Sequence, residues 1–133
     1  MSAKTLLVVV LRITGLAMLC ALIFVCCPFR WMVAIHKWLG LGQLAYSPLI
    51  SYLTRTLSSI YASFGAVFLF ISFDIKRYLP LIRFLGVVTI LGGGGVTILD
   101  TIIHLPILWS ISEGPVTILL GLVLILLTSR ILR

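Results

Sequence analysis

The chain has 133 residues, 62% hydrophobic and only 10% charged, with a net charge of +7. A water-soluble domain carries about a quarter charged residues, so the composition excludes one and points to a single membrane domain over 1–133. The positive charge does not form a nucleic-acid patch, because it is divided among the ends of the apolar runs rather than gathered on one surface.

Four apolar runs approach or exceed the ~20 residues that cross a bilayer. They lie at about 5–27, 51–73, 80–105 and 115–130. The predicted fold is all-α: a polytopic membrane protein, a four-transmembrane-helix bundle with a short amphipathic interfacial helix, at about 29–40, between helices 1 and 2. The first run follows Lys4, as a signal peptide would. It is too long for one, and Cys26, Cys27 and Pro28 make a poor small-residue cleavage site, so it is expected to be retained. Within it, Arg12 sits roughly 10 Å inside the membrane by helical rise. Its stem either snorkels to the headgroups or faces the bundle with Gly15 and Leu19. Cys20, Cys26 and Cys27 lack both metal-site spacing and a disulfide framework, and read as small apolar residues.

The first connection is the longest. In it Trp31, Ile35, Trp38 and Leu39 share one helical face and Arg30, His36 and Lys37 favour the other, the pattern of a helix lying at the membrane surface. It serves either as an anchor or as a lid over the outer mouth. Gly40, Gly42 and Ser47-Pro48 then turn the chain back. Run two carries Arg55, Ser58, Ser59, Ala62 and Ala66 as a small, polar stripe suited to close helix contact, with Tyr61 below Arg55. A tight turn at 74–78 follows, and Pro80 is expected to start the next helix.

Run three holds an acid and a histidine. Gly86, Thr89, Gly93, Thr97, Asp100 and His104 fall on one face, while Val88, Leu91, Ile98 and Ile102 suit lipid. Its run of four glycines predicts either close helix packing or a local opening for a ligand. The outer turn at 105–115 ends in Glu113-Gly114-Pro115, which reads as the start of helix 4. That helix presents Gly114, Thr117, Gly121 and Thr128 on one face, for packing within the chain or against a second copy.

By depth, Arg55, Asp100, His104 and Glu113 share a layer near the outer mouth; Arg12 belongs to the other half of the membrane. Charges at such depth face the interior and find partners. Three readings fit this polar cluster: an Arg55–Asp100 ion pair that fixes helix register; a site in which Arg55 holds an anionic or polar headgroup; and proton-linked transport through Asp100, His104 and Glu113. No spacing identifies a nucleophile, a cofactor box or a metal site, since His104 with Asp100 is only a pair of possible ligands.

Arg55 followed by Tyr61-Ala62-Ser63-Phe64-Gly65, the turn from Asp74 to Tyr78, Asp100, and Pro106-Ile107-Leu108-Trp109 leading to Glu113-Gly114-Pro115 resemble the DoxX-like group of small four-helix bacterial membrane proteins, and in particular its uncharacterised members. The resemblance spans most of the chain through loose motifs. It implies a four-helix bundle in a bacterial inner membrane. Named members of the broader group are associated with quinone-linked sulfur oxidation or redox-stress complexes, and no motif here carries those activities over.

The expected function is that of a non-catalytic membrane protein, binding a lipid-like or small anionic ligand or serving as a partner subunit of a membrane complex. A quinone-linked redox subunit and a proton-coupled small-molecule transporter are the alternatives. No cofactor is indicated by motif, although quinone or lipid would suit the setting. The expected partners are the bilayer and either a second copy or a larger complex, with no nucleic acid. Lys4, Lys76, Arg77, Arg83, Arg130 and Arg133 fall on one side and Arg30, Lys37 and Arg55 on the other, which places both termini in the cytoplasm by the positive-inside rule.

Overall fold

The computed structural model describes residues 2–132; Met1 and Arg133, with the charge expected there, lie outside the described residues. Among the described residues the chain is all-helical, with no strand. The helices are α1 (Ala3–Leu19), α2 (Leu22–Cys26), α3 (Phe29–Trp38), α4 (Pro48–Ile71), α5 (Ile75–Ile103) and α6 (Ile107–Leu132). Four stretches are long and apolar enough to cross a membrane: Ala3–Cys26, Pro48–Ile71, Ile75–Ile103 and Ile107–Leu132. The protein is a multi-pass membrane protein with a short helix between its first two spans.

Local chemistry explains the boundaries. The Ser47 side chain accepts from the Ile50 N–H at 3.1 Å, and Pro48 occupies the first turn, so α4 begins before the apolar run does. Asp74 caps α5 in the same way, accepting from the Arg77 N–H at 3.3 Å. Pro80 therefore lies inside α5 instead of opening it. Likewise α6 begins two turns before Pro115, and Glu113-Gly114-Pro115 is helix interior. The reason is the medium. In hydrocarbon each unpaired backbone group costs several kcal/mol, so the chain stays helical through a proline and keeps its connection short.

Two compact units make up the chain. In the unit Val10–Phe73, α1 and α4 meet at glycines: a methyl group on Gly65 would lie 2.7 Å from the Gly15 carbonyl oxygen and 2.8 Å from the Leu19 nitrogen. Just beyond this contact the helix slackens at Cys20-Ala21, where the Ala21 N–H bonds Met18 and the Ile23 N–H bonds Cys20, both at 3.1 Å in the tighter three-residue pattern. On α3, Met32 is buried and accepts from the Thr54 hydroxyl at 3.6 Å, while Trp31 and Trp38 are exposed. Gly40 and Gly42 both take positive φ, and Gly40 ends α3 with the paired Leu41-to-His36 and Gly40-to-Lys37 bonds of a Schellman turn.

The other unit holds the chain from Asp74 onward with the first turns of α1. Here α5 and α6 form an antiparallel hairpin with glycines facing glycines. A methyl group on Gly121 would lie 2.6 Å from the Gly86 carbonyl oxygen, and one on Gly93 would lie 2.8 Å from that of Gly114. Leu79, Gly86, Gly93 and Asp100 follow one another at heptad spacing and are all buried; Gly114, Gly121 and Thr128 do the same on α6. A seven-residue repeat is the signature of a left-handed pair. The small faces of these two helices thus pack within the chain.

Of the four successive glycines only Gly93 is in this seam; methyl groups on Gly92, Gly94 or Gly95 would meet nothing within 4 Å. Gly93→Ala and Gly121→Ala are therefore expected to destabilise the protein by about 1–3 kcal/mol through overpacking against backbone. Gly94→Ala is expected to be neutral or slightly stabilising. Thermal unfolding in a mild detergent, read by loss of helix signal, measures the difference.

Candidate functional site

The seam register leads directly to Asp100. Gly86 faces Gly121 and Gly93 faces Gly114, and one heptad further Asp100 continues the buried face of α5. Asp100 is 4% exposed, and its Oδ2 is buried without a hydrogen-bond partner. Glu113, one turn down α6 from Trp109, is near enough for its charge to interact with that of Asp100, and the Trp109 indole N–H reaches the Glu113 carboxyl. Below them Thr97 packs on Gly114, with its hydroxyl donating to the Gly93 carbonyl at 2.8 Å.

His104, expected beside Asp100, is elsewhere. It is the residue that ends α5, in left-handed conformation with φ 60° and ψ 45°. Its N–H bonds the Thr101 carbonyl at 3.4 Å and the Leu105 N–H bonds that of Asp100 at 3.1 Å, so the turn is a Schellman motif with histidine in place of the usual glycine. Pro106 follows and disfavours continuing the helix. The exposed imidazole is paired through Nδ1 with the Ile102 carbonyl at 2.9 Å. Histidine enters this region more readily than most residues, and its role here is that of a cap.

Arg55 belongs to the Val10–Phe73 unit, where its guanidinium is already engaged. Nη1 donates to the Val25 carbonyl, Nη2 to that of Cys27 at 3.0 Å, and Nε to the Ser51 hydroxyl at 3.4 Å. The carbonyls at the end of α2 have no helical donors, because Pro28 stops the helix. A cation there satisfies them and complements the negative helix end. Arg12 reaches the end of α4 through a side chain: Nε donates to the Ser72 hydroxyl at 3.4 Å, that hydroxyl donates to the Leu69 carbonyl at 2.7 Å, and the guanidinium lies 5.5 Å from the Phe73 ring centroid. Tyr61 lies part-exposed on α4, 42% open.

The Asp100–Glu113–Trp109 grouping is thus the polar site within the α5–α6 hairpin, while Arg55 and Arg12 close helix ends in the other unit. The place of Trp109 one turn before Glu113 on the same helix becomes visible only once α6 begins at Ile107. The carbonyls that hold Arg55 have no sequence signal of their own beyond the proline after Cys27. Among the described residues, no three of His, Cys, Asp and Glu come together as metal ligands.

Fold and site together define an all-α, multi-pass membrane protein with a buried carboxyl in its third span. The chain matches no protein-family model, no curated protein and no solved structure.

Two substitutions test the assignments of the cations and the histidine. Arg55→Met removes charged hydrogen bonds to carbonyls and is expected to cost about 1.5–3 kcal/mol. Because Cys27 is buried at the joint that Arg55 holds, it should also react several-fold faster with a membrane-permeant maleimide. His104→Gly should fold at least as well as the parent, whereas His104→Val should lose about 1–2 kcal/mol at the left-handed position.

Proposed function

We propose that the protein is a small non-catalytic membrane protein that acts through Asp100, binding a molecule or a partner segment that brings a hydrogen-bond donor to the carboxyl. One observation carries this reading: Asp100 Oδ2 is buried and unpartnered. A polar group left without a hydrogen bond in an apolar setting costs several kcal/mol, and ionisable residues inside spans are functional by default. A donor from outside the chain recovers that cost. A lipid-like ligand with hydroxyl or amine groups, or a polar residue on a partner helix, supplies one.

A purely anionic ligand has less support. Arg55 would have to release the carbonyls of Val25 and Cys27 to hold it. The reading as a proton-coupled transporter draws on a separate observation, the nearness of Glu113 to Asp100, because acids inside spans are the groups that build proton relays. The DoxX-like resemblance and the charge bias along the chain support placement in a bacterial inner membrane with both termini cytoplasmic.

Native mass spectrometry of protein gently extracted from its own membrane tests the proposal. The expected result is a retained small molecule or co-purifying subunit that is lost in Asp100→Asn and kept in His104→Gly. Retention in Asp100→Asn would sink it. For the transporter reading, vesicles containing the protein should show a proton flux that Asp100→Asn abolishes; absence of flux in the parent removes that reading and leaves the binding proposal standing.

A further inference from the structure

A second feature lies at the opposite end of the α5–α6 hairpin. A groove of about 380 Å³ is lined by Leu79, Pro80, Arg83, Phe84, Val87 and Leu132. Five of the six are apolar and one is a cation. Phe84 and Leu132 are exposed, at 61% and 59%, so the groove opens sideways to whatever surrounds the span. Arg83 makes no hydrogen bond or ion pair among the described residues, although it stands about 12 Å along α5 from the helix start by helical rise. A cation at that depth without an anion extends toward the interface.

The same stripe explains where it extends. Lys76, Pro80, Arg83 and Val87 follow the four-and-three spacing of one helical face, which sets Lys76 about two turns nearer the membrane surface than Arg83. Pro80 has no N–H, so the Lys76 carbonyl lacks its helical donor and is open to a hydroxyl. Arg77 and Arg130 add positive charge at this end. Its one acid, Asp74, serves as the cap of α5.

We propose that this groove binds an anionic phospholipid, with the phosphodiester on Arg83, the headgroup toward Lys76 and one acyl chain along Phe84, Val87 and Leu132. A basic pocket beside apolar helix walls suits such a lipid, while a free phosphate would leave those walls uncovered. The proposal is independent of Asp100, which lies at the far end of the same helix.

The test uses the full chain, purified in a neutral detergent, with phosphatidylglycerol and phosphatidylcholine of identical acyl chains, binding being followed by native mass spectrometry. The parent is expected to retain phosphatidylglycerol in preference to phosphatidylcholine, and increasingly so as salt is lowered. Arg83→Gln should weaken phosphatidylglycerol binding by about fivefold, and Val87→Trp, which fills the groove with Arg83 intact, should weaken it too. Arg77→Gln should leave it within about twofold, since Arg77 lies over the Tyr78 ring and outside the groove. Equal retention of the two lipids by the parent overturns the proposal. So do equal losses in Arg77→Gln and Arg83→Gln, which mean diffuse surface charge, and displacement of the lipid by soluble glycerol phosphate at matched concentration, which means a headgroup site alone.

Discussion

The contact on which the hairpin depends is backbone against backbone. Gly93 and Gly114 leave no room for a methyl group between α5 and α6, and Gly86 with Gly121 repeats the arrangement one heptad away. In a bilayer, apolar burial does not drive helices together, because lipid tails are as apolar as leucine; close packing must do it. Two glycine pairs in register bring long stretches of helix surface into contact and fix which residues face each other. Asp100 owes its position to this. It is the next step of the same seam after Leu79, Gly86 and Gly93, and so it is turned away from lipid.

A second constraint, the need to satisfy every backbone group, explains the cations. Interrupting a span at Pro28 or ending one at Ser72 leaves carbonyls exposed to a medium with no donors of its own. Arg55 supplies its guanidinium to the first of these ends, and at the second the Ser72 hydroxyl bonds the Leu69 carbonyl while accepting from Arg12. Charge that resembles a ligand site by depth alone is thus used to finish helices. The two ends of α5 show the same economy, with Asp74 capping the first turn and His104 closing the last.

Much of the fold is legible in the residues. The four spans follow from hydropathy, and the surface helix at 29–38 from its alternating faces. The heptad pairing of small residues is visible in the spacing of Gly86 with Gly93 and of Gly114 with Gly121. The proline signals mislead because their ordinary meaning belongs to water. Pro80 and Pro115 read as helix starts there, whereas a bilayer rewards unbroken helix on both sides of them. The site is half legible. Asp100 and Glu113 are found by being acids in apolar runs. His104 falls on the same face only if α5 continues, and Pro106 stops it. Arg55 cannot be assigned from side chains alone, since two of its three partners are the backbone carbonyls of Val25 and Cys27.

Asp100 stands apart from Arg55, Asp74 and His104, which finish helices: this carboxyl is buried with an oxygen left over. The central claim is that it is kept for what it binds and contributes nothing to folding. The direct measurement is the stability of Asp100→Leu against the parent, by reversible unfolding of delipidated protein in detergent. The account predicts a variant at least as stable as the parent, since an apolar side chain replaces an unpartnered buried carboxyl. A loss of about 3 kcal/mol or more, the size expected when a buried polar partner is torn out, would contradict it and make Asp100 a structural residue.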